Sequence, residues 1–104
     1  MANEVIALDP FGKTINLLPE VSFVEDDSQE VYDNAVKVIE KPAFVIELKE
    51  NNQTEFFYLR SIGWNKTLLI AVRLNNGQWE AYKYTRNPSN EILSKLLQKG
   101  KQIL

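Results

Sequence analysis

Leu68-Leu69-Ile70-Ala71-Val72-Arg73-Leu74-Asn75-Asn76-Gly77-Gln78-Trp79-Glu80-Ala81-Tyr82 is the run on which the architecture turns. Asn76-Gly77 is the strongest short hairpin signal a sequence can carry, because a type I′ turn needs positive φ at both central residues. The side chains on either side of it alternate with a period of two, so both arms read as strands. A tight turn also sets the register. Counting outward pairs Asn75 with Gln78, Leu74 with Trp79, Arg73 with Glu80, Val72 with Ala81, Ala71 with Tyr82 and Leu69 with Tyr84. One face then carries Leu68, Ile70, Val72, Leu74, Trp79 and Ala81, and is expected to lie under helices. The other carries Arg73, Glu80, Tyr82, Tyr84 and Arg86.

Upstream of this hairpin, Phe56 to Ile62 reads as a strand that places Tyr58 and Arg60 on the polar face, with Gly63-Trp64-Asn65 breaking it. Phe44, Ile46 and Leu48 alternate in a further strand that reaches it through an Asn51-Asn52 turn. Before Pro42 the period is 3.6: Val31, Ala35, Val38 and Ile39 form one helical stripe. Asp27 or Ser28 is expected to cap that helix, and Glu25-Asp26-Asp27 suits its positive end. After the sheet, Asn87 is expected to cap a second helix with Pro88 in its first turn. Ile92, Leu93, Leu96 and Leu97 form its stripe and Gly100 its C-terminal cap. Val5 to Leu8, the turn Asp9-Pro10-Phe11-Gly12 and Thr14 to Leu17 suggest an N-terminal hairpin. The expected fold is one α+β domain over residues 1–104, a four-stranded antiparallel meander sheet with helices packed on one face, preceded by that hairpin.

Composition narrows the chemistry. The chain has 104 residues, 44% apolar and 25% charged, without a cysteine or a histidine. Thiolate or imidazole catalysis, disulfides, Cys/His zinc sites and His-ligated haem are therefore excluded. Ser61 and Ser89 lack the partner a Ser-His triad requires. No Walker A, G-x-G-x-x-G or G-x-S-x-G motif is present, and neither a cofactor nor a metal is expected. The acidic cluster lacks EF-hand spacing and reads as helix capping and solvation. The start Met1-Ala2-Asn3-Glu4 has no basic n-region or apolar core, and no apolar run approaches a bilayer's thickness. A cytoplasmic location without membrane association is expected. The net charge of −2 hides a division: residues 1–50 hold 4 basic and 11 acidic side chains, and residues 51–104 hold 8 and 3. Such asymmetry bears on partners rather than on fold.

The polar sheet face interleaves arginine and tyrosine. Guanidinium groups bind phosphates bidentately and tyrosines stack on unpaired bases. Cleavage of a phosphodiester at a ribose 2′-OH would use Arg73, Glu80 and Tyr82 as the catalytic set, with Glu80 or a tyrosine as base. Tyr58, Arg60, Tyr84 and Arg86 would bind the substrate. Tyrosine is also a good strand former, Arg73 and Glu80 fit an ordinary cross-strand pair, and both Tyr and Arg are common in protein interfaces. A solvated sheet, a protein-docking face and an RNA-contacting face all remain open.

Leu8-Asp9-Pro10-Phe11-Gly12-Lys13-Thr14-Ile15-Asn16-Leu17 resembles the opening D-x-x-G-x-x-I-x-L of small phage- and mobile-element-associated domains in the barnase/EndoU/colicin/RelE-like ribonuclease superfamily. Val38-Ile39-Glu40-Lys41-Pro42 is similar to their helix that ends at a proline. Phe57-Tyr58, and Leu69-Ile70-Ala71-Val72 with Trp79-Glu80-Ala81-Tyr82, resemble their next strand and central hairpin. The resemblance covers about residues 8–86 and implies helices on one side of an antiparallel sheet, with any RNA-cleaving site on the other. The chain lacks that group's Trp-x-His-Ile helix and has Glu80 where threonine is common. The resemblance thus leaves two expectations: a domain that binds or cleaves RNA, or a non-enzymatic protein-interaction module such as an inhibitor, an immunity-like protein or a homodimer. The second would use the same sheet face or the acidic N-terminal half.

Overall fold

The computed structural model describes residues 5–17 and 28–104. Within them the chain runs β1 (Val5–Leu8), β2 (Thr14–Leu17), α1 (Ser28–Glu40), β3 (Phe44–Glu50), β4 (Gln53–Gly63), β5 (Lys66–Asn75), β6 (Gln78–Arg86), α2 (Asn90–Lys99) and β7 (Lys101–Gln102). The strands form a single sheet in the order β1-β2-β6-β5-β4-β3-β7. Strand β2 runs parallel to β6, and every other neighbouring pair is antiparallel. The capping role expected of Glu25-Asp26-Asp27 lies outside the described residues.

This architecture corrects the expected four-stranded meander with helices on one face. The sheet is mixed and seven-stranded, mostly β, with two short helices. The N-terminal hairpin is part of it, because Ile15, Asn16 and Leu17 align in parallel with Trp79, Glu80 and Ala81. At the far edge, Lys101 and Gln102 pair with Glu47 and Ile46. Ile103 then donates its amide to Val45 at 2.8 Å and packs against the core.

Helix α1 covers one face, packing across β1, β4 and β5. Its Ala35, Val38 and Ile39 are fully buried, and they meet Ala7, Ile15, Leu17, Val45, Phe56, Tyr58, Leu68, Ile70, Val72, Ala81 and Tyr84. This is the main core, and its apolar burial supplies the principal stabilisation. Helix α2 behaves differently from its expected role. None of its residues is buried, and Ile92 and Leu97 remain exposed. It ends against Ile46: a Cβ on Gly100 would lie 2.5 Å from Ile46 Cγ2. Ile46 pairs with Phe57, and Phe57 with Ala71, so its side chain lies on the face opposite α1. The two helices therefore do not share a face. The cap also differs. Ser89 accepts the Ile92 amide at 3.2 Å. Asn87, at φ 50°, instead ties β6 to Thr67 through its amide and side-chain oxygen.

A bulge displaces the expected pairing within the central hairpin. Asn76 and Gly77 take φ of 52° and 79°. The first four pairs out from the turn are Asn75–Gln78, Leu74–Trp79, Arg73–Glu80 and Val72–Ala81. Ala71 then faces Lys83 rather than Tyr82, Ile70 faces Tyr84, and Leu68 faces Arg86. One extra residue in a strand reverses the side of everything beyond it. Tyr84 and Arg86 consequently move to the α1 face.

Candidate functional site

The arginine and tyrosine side chains expected on one sheet face are divided between two. Arg73, Glu80 and Tyr82 stay on the face opposite α1. Arg73 lies between Glu55 and Glu80 in the cross-strand register. Its guanidinium stacks 4.6 Å from the Tyr82 ring centroid. The Tyr82 hydroxyl donates to Glu55 Oε1. Burial, and then the bond to Glu55 and its negative charge, push the Tyr82 pKa up; nearby Arg73 offsets part of this. Glu80 accepts from the Asn75 side chain at 3.0 Å. In this row one guanidinium stands against two carboxylates, a poor phosphate seat. A phenol held protonated is equally unsuited to act as base.

Tyr58 and Tyr84 belong to the core, at 0% and 5% exposure. Neither offers a ring face to a base. Tyr58 instead donates to Asp9 Oδ2 at 2.6 Å. Asp9 is the buried carboxylate of the β1–β2 turn, and its Oδ1 accepts from the amides of Phe11 (3.0 Å) and Lys13 (2.7 Å). Lys13 Nζ reaches Asp9 Oδ2 at 3.0 Å and rests 4.0 Å from the Phe56 ring centroid. Burial alone would raise the Asp9 pKa, but the Tyr58 hydroxyl and the Lys13 amide and ammonium outweigh it and hold the carboxyl below its ordinary value. Burial and Asp9 together push the Tyr58 pKa up. Lys13 also approaches Trp79, which, with Phe56 and Leu74, lines a hollow of about 690 Å³ near the tip of the central hairpin. This buried cluster escaped the sequence reading, which saw only a turn; the signal was an aspartate placed to accept the amides two and four residues on.

Arg60 and Arg86 lie at the opposite end of the sheet, flanking Leu68 in one cross-strand row on the α1 face. There Arg60 Nη1 donates to the Lys41 carbonyl at 2.6 Å. This contact draws the guanidinium to the C-terminal end of α1, where Lys37, Glu40, Lys41, Arg60 and Ser61 line a hollow of about 380 Å³. Lys66 begins β5 at the same end, opposite Gly63. None of these five cations forms an ion pair with a described carboxylate. Of the expected substrate-binding residues, Arg60 thus lines a hollow with Lys37 and Lys41, and Arg86 lies at the same end of the sheet with Lys66; the sequence reading gave the three lysines no part in the site. Only the sheet register and the chain reversal at Pro42 bring them together.

Among the described residues, no three His, Cys, Asp or Glu side chains gather as a metal-binding group. No helix among them is long and apolar enough to cross a membrane. No family model, curated protein or solved structure matches this chain.

Proposed function

We propose that this protein is an RNA-binding module that holds the phosphate backbone at its basic end and does not cleave it. The observation that carries this reading is that Lys37, Lys41 and Arg60 line one hollow, with Lys66 and Arg86 at the same end of the sheet, and none of the five pairs with a described carboxylate. Clustered cations raise the local potential even on a protein whose net charge is −2. Each phosphate they neutralise releases counterions, which makes binding salt-dependent. The absence of cleavage follows from separation. Arg73, Glu80 and Tyr82 occupy the other sheet face, where Arg73 stacks on Tyr82, the Tyr82 hydroxyl donates to Glu55 and Glu80 accepts from Asn75.

The test is a fluorescence-anisotropy titration with a labelled mixed-sequence RNA over a series of salt concentrations. Five phosphate contacts would give a log–log salt slope of about −3.5 for a single strand. The Lys37→Glu/Lys41→Glu double variant is expected to weaken binding at least tenfold, with unchanged circular dichroism. The RNA should be recovered intact on a denaturing gel. A flat salt response would overturn the binding reading, and fragments that vanish with Tyr82→Phe would overturn its non-cleaving part.

A further inference from the structure

Trp64 is the most exposed large apolar side chain among the described residues, at 89%. It sits at the tip of the β4–β5 hairpin, in the turn closed by Gly63 opposite Lys66. Packing does not explain it: no ring contact or hydrogen bond to it is found among the described residues. An indole left in water forfeits the burial that usually favours tryptophan.

The turn that carries Trp64 is braced. Ser61 Oγ donates towards the carbonyls of Gly63 and Lys66 at 3.0 and 3.2 Å, spanning the loop from beneath. Asn65 adopts the left-handed conformation, φ 56°, that the reversal needs and asparagine tolerates. Asn87 grips Thr67 on both its amide and its carbonyl, fixing the base of the hairpin to the end of β6. An aromatic ring held out on a fixed turn loses little freedom when it engages a ligand.

The position of the turn decides what that ligand is. Arg60 lies four residues before Trp64, at most about 13 Å away at ~3.3 Å per residue, and Arg86 shares its cross-strand row two strands over. Lys66 is two residues away along the chain. An exposed ring within this distance of backbone-neutralising cations is the combination that binds single-stranded nucleic acid, since every unpaired base offers a π-face. In a duplex those faces are covered by neighbouring bases, leaving only phosphates to contact.

We infer that Trp64 is a base-stacking platform and that the ligand of the basic end is a single strand with unpaired bases. This inference rests on the RNA-binding reading and adds a choice between single and double strands. Stacking on one base corresponds to a roughly 5- to 150-fold change in affinity on truncation to alanine. The experiment titrates the full chain, Trp64→Ala and Trp64→Tyr against a labelled single strand of ~10 nucleotides and against the same sequence as a duplex. The parent should favour the single strand. Trp64→Ala should lose that preference while keeping its duplex affinity, and Trp64→Tyr should retain most of it. Equal single-strand affinity for parent and Trp64→Ala would overturn the stacking inference while leaving phosphate binding intact. Failure of the parent to bind either form would overturn both.

Discussion

Asp9 is fully shielded as a side chain, yet it takes two backbone amides, a phenol and an ammonium. Charge-assisted hydrogen bonds of this kind stabilise a fold more than neutral ones, and removing the charge leaves its partners buried without it. Asp9→Asn should therefore destabilise the protein by about 2–4 kcal/mol in urea unfolding at neutral pH. The carboxyl's folded pKa lies below its ordinary 3.8, so its contribution is complete above that value and decays as pH falls through the folded one. The gap between parent and Asp9→Asn should accordingly narrow as pH falls below 3.8. An unchanged gap would show that the charge contributes nothing. Tyr58 and Tyr82 supply a spectroscopic counterpart. Both hydroxyls face carboxylates and carry raised pKa values, so their ultraviolet titration should lie above the ordinary value of 10. Titration of all tyrosines near pH 10 would contradict it.

At the level of elements, Gly100 ends α2 and starts β7 in the space of one residue. Its φ of −102° suits any residue, so the requirement is steric. An added Cβ would meet Ile46 Cγ2 at 2.5 Å, Leu96 O at 2.9 Å and Glu47 O at 3.0 Å, two of them backbone atoms unable to swing aside. Gly100→Ala should cost about 1–3 kcal/mol by thermal or urea unfolding, whereas Leu97→Ala on the exposed side of α2 should stay within about 0.5. Reversed magnitudes would mean that α2 is not docked at its C-terminal end.

The strands were easier to read than their sides. Asn76-Gly77 located the central turn because left-handed φ at two successive positions restricts residue choice severely. The bulge at Tyr82 was also written in the chain: Trp79 and Ala81 are apolar at odd positions, Lys83 is charged, and Tyr84 resumes the apolar phase at an even one. In β4, by contrast, Phe56-Phe57-Tyr58-Leu59 is apolar on both sides. Such a run is compatible with either orientation, so nothing local told which pair faced α1. The helical stripe of α2 matched core packing, but its place at the sheet margin depends on β7 pairing with β3, a two-residue contact with no periodic signature.

Across the whole molecule, charge is sorted by topology more than by sequence order. Lys37 and Lys41 come from the predominantly acidic first half, yet they line a hollow with Arg60 of the basic second half, at the end of the sheet that also carries Lys66 and Arg86. The half-chain asymmetry hinted at a charged partner without locating its site. The arginines expected to act together on one face are instead separated, with Arg73 on one side and Arg60 and Arg86 on the other. The most direct measurement compares the RNA salt slopes of Arg73→Ala and of the Arg60→Ala/Arg86→Ala double variant with that of the parent. The double variant should reduce the slope by about 1.4 and weaken binding, while Arg73→Ala should leave both unchanged. Loss of binding in Arg73→Ala, with the double variant unaffected, would contradict the account and return the ligand to the opposite sheet face.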